Sequence, residues 1–413
     1  MPNRVLSFIW GGIAAVMLLA FLFYPKIVIE ASLRGISIWW DVLFPALLPF
    51  FVISDLMLGI GVVHFAGTLL DPLMRPLFRI SGRGGFVMAM GFVAGYPVGA
   101  RLAAQLRAKQ ELKRDEGERL VAFTTTADPI FLIGAVSIGF FHDPALALVL
   151  AVAHYLGAVI VGGIMRFHGK EASTDMGEKN DKRNLLVRAI DAMRRAREED
   201  ARPFGQMFAE AVESALRLVF VVGGLVVFFC VFIDLLQKLG AIQWISSAAA
   251  IFLTLIGSDP GLAEALVNGL FEVTIGAQAA SLAEVSYPQR AIVAAFVLSW
   301  AGLSVHAQVV SLLTNTGFRY WPFLFARLLH ALISMLIVHL SWNALYPSAH
   351  AFTLRTAFHD TVTTALYEQS PFAFFFLMSA ALSLLMAIVT LLSMFAAWII
   401  KVVQRPGGQK HAK

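Results

Sequence analysis

Three ionisable residues, Arg101, Asp128 and Glu272, fall within stretches of chain that are otherwise apolar. A charge at membrane depth is costly and marks a functional position by default. Arg101 offers a planar fork that matches a carboxylate. Its alternatives are to cap a hairpin carbonyl or to extend toward the cytoplasmic face. Glu272 and Asp128 have the chemistry to carry a coupling proton, or to help hold Na⁺ with nearby hydroxyls and carbonyls. Against this stand an ion pair of Glu272 with Arg101 and a local turn at Asp128 ahead of Pro129. Two hydroxyl clusters follow, Thr124, Thr125 and Thr126 in one half and Ser299 and Ser304 in the other. Singly, such groups back-bond to their own helix; as two clusters they suit the lining of a polar site. His306 and Gln308 add donors for a carboxylate or ring nitrogen. Tyr96 suits either stacking on an aromatic solute or interior packing. His154 and His330 recur in the two halves, and a hydrogen bond fixing helix packing explains them equally well.

Two seven-residue segments position this chemistry. The first, GYPVGAR, runs from Gly95 to Arg101 and supplies Gly95, Tyr96, Pro97, Gly99 and Arg101. The second, EVTIGAQ, runs from Glu272 to Gln278 and supplies Glu272, Thr274, Gly276 and Gln278. Each interrupts an apolar stretch, near 84–106 and 261–284, and each precedes a long apolar segment broken by small polar residues. Such backbone is tolerated at membrane depth only when buried in protein, as in a re-entrant hairpin. Paired interruptions at matching places in two halves point to a carrier's substrate site.

The composition requires a bilayer. Hydrophobic residues make up 58% of the chain and charged residues 14%, more apolar surface than a soluble domain can hide. Lys and Arg fall between apolar segments instead of forming one basic face, which argues against nucleic acid. The single cysteine, Cys230, excludes an intramolecular disulfide framework and a cysteine-based metal cluster. With roughly twenty apolar residues per span, full crossings are expected near 5–24, 36–60, 119–141, 144–166, 206–236, 290–313, 321–345 and 371–400. The first is read as a retained helix and not a signal peptide, since its apolar core is long and no small-residue cleavage site follows. Placing Arg4 in the cytoplasm also places Arg75, Arg79, Arg83, Arg107, Lys109, Lys113, Arg114, the 166–202 loop and the basic tail there, which satisfies the positive-inside rule. Both termini are then cytoplasmic. The segment 240–257 is treated as an interfacial helix, although it is apolar enough to cross. The stretch from Lys170 to Pro203 mixes both charge signs, ends in an Arg/Glu-rich helical stretch (Ala189 to Ala201) and reads as a solvated linker between the halves.

An internal repeat links the halves. Asp55 and Gly61 match Asp234 and Gly240; Gly99-Ala100 match Gly276-Ala277; Ala122-Phe123 match Ala295-Phe296; and His154 matches His330, all with nearly constant separation. Under this topology the span 36–60 runs outward to inward and 206–236 the reverse, so the repeats are inverted and their hairpin tips meet.

The run from Ile38 to Phe51 (IWWDVLFPALLPFF) resembles the sporulation integral membrane protein YlbJ family. So do Leu70 to Phe78 (LDPLMRPLF), Gly95 to Ala100, Glu116 to Phe123 (EGERLVAF) and His154 to Gly157 (HYLG). That family carries the nucleoside-recognition Gate domain and looks like a distant relative of concentrative nucleoside transporters, which use inverted hairpin repeats. The resemblance puts the two heptapeptides on the hairpins. It puts Thr124 to Pro129 and Ser299 to Ser304 on the broken helices that follow. It also implies movement of dipicolinate, a heteroaromatic dicarboxylate, across the outer forespore membrane. The family usually has Lys where this chain has Arg101, so a planar fork replaces a point charge.

The expectation is therefore an all-α, polytopic inner-membrane protein with inverted repeats and two re-entrant helical hairpins. Its organisation is an N-terminal helix (1–30), a first Gate-like repeat (31–168), a charged cytoplasmic linker (169–204), a second repeat (205–345), an external loop (346–370) and a C-terminal helix with basic tail (371–413). The expected function is secondary transport of a small organic anion, most specifically dipicolinate leaving the mother cell toward the forespore, by alternating access. A nucleoside/cation symporter and a non-transporting scaffold for spore-envelope assembly are the rival readings. Substrate contacts are expected from the two heptapeptides with Thr125, Thr126, Ser299, Ser304 and His306, and ion coupling from Asp128 and Glu272. Na⁺ and H⁺ both remain open as coupling ions, as does a homo-oligomer. No cofactor and no enzymatic activity are expected, since no metal-ligand spacing, nucleophile elbow or phosphate-cradling loop is visible.

Overall fold

A computed structural model describes residues 4–169, 184–255 and 257–367. Helices α1 (Arg4–Phe23) and α2 (Pro25–Ser37) meet at Tyr24, and the chain turns by 99° there. A π-helical stretch, Ile38–Leu43, joins α2 to α3 (Phe44–Ile60), so helical backbone starts well before the crossing expected at 36. Gly61, at φ +88°, ends α3 in the left-handed conformation that L side chains avoid. Then follow α4 (Val62–Leu73), α5 (Gly84–Ala94) and α6 (Tyr96–Ala108), the last two folded back about Gly95. Next come α7 (Arg114–Thr124), an extended break at 125–128, the π-helix Phe131–Phe140, and α8 (Leu146–Met165).

After α9 (Leu185–Asp200) the same order returns. A long helix, α10 (Phe204–Lys238), ends beside Gly240 at φ +80°, and a short apolar helix, α11 (Ala241–Leu255), follows. A hairpin is formed by α12 (Ala263–Phe271) and α13 (Val273–Leu282), folded about Glu272. A broken helix comes next, α14 (Tyr287–Trp300) and α15 (Gly302–Leu313), and then the long α16 (Tyr320–Tyr367). Both halves thus carry long helix, short helix, hairpin, broken helix and long helix. The recurring landmarks lie at equivalent places: His154 on α8 and His330 on α16 face one another with ring centroids 4.8 Å apart.

By length and composition, four of the described helical segments are able to cross a membrane, or six if each bent pair is one span. The protein is an all-α integral membrane protein. Its buried apolar residues form one large cluster that draws on both halves, with a small second cluster around Val63, Ala89 and Met90. Within it α16 packs most extensively on α8 and α14, while α10 packs on α2 and α3.

Two expectations change. The stretch read as a solvated linker is helical at its end as expected, from 185 to 200, but it is not simply solvated: α9 packs against α4, with Ala189 buried and the Met193 carbonyl closing on Gly61. Its Arg/Glu pattern hid an inner face of small residues, Ala189, Ala192 and Ala196, so charge alone misled. The external loop expected from 346 is a continuation of α16 to Tyr367. The crossing at 371–400 and the basic tail lie outside the described residues.

Candidate functional site

The two hairpin tips and the two helix breaks meet at one small cavity of ≈ 80 Å³. Its lining includes first-turn residues of four helical segments: Tyr96 and Pro97 of α6, Phe131 of the π-helix, Val273 and Thr274 of α13, and Ser304 and Val305 of α15. A helix N-terminus presents unsatisfied N–H groups and the positive end of the helix dipole. Two carboxylates are built into this arrangement. Glu272 accepts from the Ile275 N–H at 2.9 Å and Asp128 from the Phe131 N–H at 2.8 Å, each capping the segment it precedes. Both are almost fully buried, and no Lys or Arg is among the residues lining the cavity. The Ser304 hydroxyl is buried on this wall without a hydrogen-bond partner among the described residues. The facing wall is apolar, made by Leu47 and Phe51 of α3 with Leu218, Val221, Val222 and Leu225 of α10.

Gly95 makes the first tip. Its φ of +86° with ψ −173° is a region essentially reserved for glycine. A Cβ there would also stand 3.1 Å from Asp128 Oδ2. The Tyr96 hydroxyl donates to the Leu298 carbonyl at 2.8 Å, tying this tip to the end of α14.

Behind the cavity lies a fully buried polar frame. Arg327 of α16, 0% exposed, donates to the carbonyls of Ala122 (2.5 Å), Thr125 and Ser299 (3.3 Å). These are carbonyls at the C-terminal ends of α7 and α14, where the helix dipole favours a cation. One side chain therefore holds the inner half of both broken helices. His154 Nε2 accepts from the Ala127 N–H at 2.9 Å, which places the ring proton on Nδ1, 3.0 Å from Ser299 Oγ. Ser299 Oγ donates to Ser334 Oγ (2.8 Å), and Ser334 to the Ala153 carbonyl (3.1 Å).

A sequence relative matches this chain over most of its length. The sporulation integral membrane protein YlbJ of Bacillus subtilis (strain 168) is 41% identical over 328 residues, 79% of this chain and 80% of the relative. The chain belongs to the YlbJ family. A family model described as Gate, nucleoside recognition, matches residues 41–170 of this YlbJ-family protein. The chain is also similar to a solved structure of CNTnw in an inward-facing substrate-bound state, with a TM-score of 0.46 and 14% identity over 82% of this chain and 87% of that one.

The geometry sorts the expected site residues of this YlbJ-family chain. Gly95, Tyr96, Pro97, Asp128, Glu272, Thr274, Ser304 and Gln308 all line the tip cavity. Thr125 and Thr126 do not: Thr125 back-bonds to Val121, as Thr124 does to Leu120, and Thr126 donates to the Gly91 carbonyl of the first hairpin. Ser299 belongs to the buried frame. His306 is held by the Tyr320 hydroxyl (2.8 Å) and the Trp300 carbonyl (3.1 Å), turned into packing. Gly99 and Gly276 serve close approach, to Thr124 and to Gly269 respectively, and Gln278 lines neither the tip cavity nor the two wider cavities beside it.

Arg101 lies one turn beyond the first tip. It is absent from the tip cavity, and no ion pair with Glu272 forms among the described residues. Arg101 instead lines a wider cavity of ≈ 820 Å³ that shares Phe51, Pro97, Leu218 and Gln308 with the small one. Arg327 went unremarked in the sequence, although an arginine inside the apolar run 321–345 was the available signal.

Outside the apolar spans, Asp115, Glu118 and His168 bring potential metal-ligand atoms within 4.8 Å of one another. Arg319 already donates to both acids, at 3.2 Å to Asp115 and 2.7 Å to Glu118, so the cluster is a charge knot joining α7, the end of α8 and the α15–α16 turn. Burial pushes the Glu118 carboxyl up, but hydrogen bonds from Arg319 and His168 outweigh it and hold the group below its usual range.

Proposed function

We propose that this protein is a secondary carrier whose cargo is a small organic anion bound at the tip cavity, with dipicolinate the specific candidate. The observation that carries the reading is the convergence of four helix N-termini on one small, mostly apolar-walled cleft. Those N-termini attract carboxylate, and the unpartnered Ser304 hydroxyl and Gln308 orient it. Asp128 and Glu272 stand in the same cleft, and no Lys or Arg lines it among the described residues. An anion therefore enters favourably only if a proton or Na⁺ comes with it, which makes these two carboxylates the coupling groups. The hairpins act as gates in alternating access. The name of the Bacillus subtilis relative, a sporulation integral membrane protein, supports a sporulation membrane as the setting; for the carrier we propose the outer forespore membrane on the mother-cell side, with both termini in the cytoplasm.

The test is flux into liposomes holding the purified protein. Saturable dipicolinate uptake that follows an imposed proton or sodium gradient, and that falls with Ser304→Ala and Glu272→Gln, is expected. Absence of saturable flux under every gradient sinks the proposal. A second reading, a nucleoside/cation symporter, is favoured by the two cavity carboxylates, which accept hydrogen bonds from a neutral hydroxylated solute. Competition of flux by nucleosides, with none by dipicolinate, selects it.

A further inference from the structure

We propose that the Arg101 face of α6 is a second, separate subsite for a carboxylate-bearing solute, ahead of the tip cavity. Its cargo rests on the carrier reading above; its anion chemistry does not. Arg101 and Gln105 are one helical turn apart on the same face of α6, and both line two wide cavities, of ≈ 820 and ≈ 680 Å³.

The arginines around these cavities are not equivalent. Arg202 is held by Asp200 and Glu210, Arg217 by Glu213, and Arg107 by the carbonyls of Leu112 and Thr316. Arg101 has no hydrogen-bond or ion-pair partner among the described residues. A guanidinium left free at a cavity wall has its full bidentate geometry available for a carboxylate, and Gln105 adds an amide donor beside it.

Gln308 lines both the tip cavity and the ≈ 820 Å³ cavity, so the two sites share a wall and a solute passes directly from one to the other. Asp55 of α3 and Glu210 of α10 line the wide cavity as well. Their charge limits how tightly an anion is held at Arg101, which suits a site that must hand its ligand on. The role is therefore capture: Arg101 raises the local concentration of anions and sets how readily the tip cavity fills.

The experiment reads the field at this face directly. In a Cys230→Ser background, Gln105→Cys is modified with anionic, cationic and neutral methanethiosulfonate reagents, with and without Arg101→Gln. The anionic-to-cationic rate ratio is expected to fall about tenfold when Arg101 is lost, while an unchanged neutral rate reports an intact fold. Dipicolinate is expected to slow modification only when Arg101 is present. Arg101→Lys, a second variant that keeps the charge, is expected to keep the rate ratio and weaken this protection. A ratio indifferent to Arg101→Gln, or protection indifferent to both variants, overturns the subsite. The expected ratio without any dipicolinate flux retains the subsite and removes dipicolinate as cargo, so the two readings fail separately.

Discussion

The two hairpin tips occupy equivalent places in the repeat and are built from opposite materials. At the first, the turning residue is Gly95, with bare backbone in a glycine-only conformation, and the carboxylate comes from Asp128 on the neighbouring broken helix. At the second, the turning residue is Glu272, in ordinary extended backbone at φ −145°, and it caps its own helix. There the broken helix supplies no acid, but Ala301 and Gly302, both at φ +72°. Each half therefore delivers one carboxylate to the shared cavity, once from the break and once from the hairpin. The position of the charge has been kept while the element carrying it has changed. A site between inverted repeats needs matched fields, and it is indifferent to which chain segment provides them.

That contrast can be broken in order of expected effect. Arg327 braces both breaks at once, so Arg327→Leu strands three buried carbonyls and should cost about 3–5 kcal/mol. Loss of a cooperative melt in detergent is the readout, and a variant melting like the parent would show the halves to be braced independently. At the tips, Gly95→Ala should cost about 2–3 kcal/mol through its backbone conformation. Glu272→Ala should cost only about 1 kcal/mol, the value of an N-cap. Equal drops in melting temperature would remove the distinction between the tips.

Gentler still are Asp128→Asn and Glu272→Gln, which keep a capping oxygen and should change stability by less than about 1 kcal/mol. Their effect should appear in transport, as flux that no longer follows the driving gradient. If only one of them uncouples, the two carboxylates have divided their work. The smallest effect belongs to the charge knot outside the spans. Because the Glu118 carboxyl is held below its usual range, its stabilisation is present above the ordinary carboxylate pKa and is lost as pH falls through the lowered value. Glu118→Gln should flatten the acid limb of the melting-temperature profile, and an unchanged acid limb would remove Glu118 from the account.

Periodicity and interruption were legible because they are local. Gly, Pro and acid inside apolar runs located both hairpins and both breaks, and the landmarks from Asp55 to His330 located the repeat. The family motifs placed the chain in its family for the same reason. Side-chain direction was not legible. Arg101 and Tyr96 are five residues apart on one helix, yet Tyr96 lines the tip cavity and Arg101 the wide one. The hydroxyls of Thr125, Thr126 and Ser299 looked like site groups by type, and packing turned each of them onto a backbone or buried partner. Charge also misled at α9, where small residues and not polarity decided burial.

By itself, then, the sequence determined an apolar chain that must live in lipid, two interrupted hairpins, two broken helices and the acids Asp128 and Glu272 at those interruptions. Such features follow from what a backbone does at membrane depth, and that is written residue by residue. Only the tertiary structure decided that four helix N-termini share one cleft, that Arg327 binds the ends of both broken helices, and that Arg101 stands outside the tip. Those relations join residues some two hundred positions apart, and their energies exist only once the two halves have packed and excluded water between them.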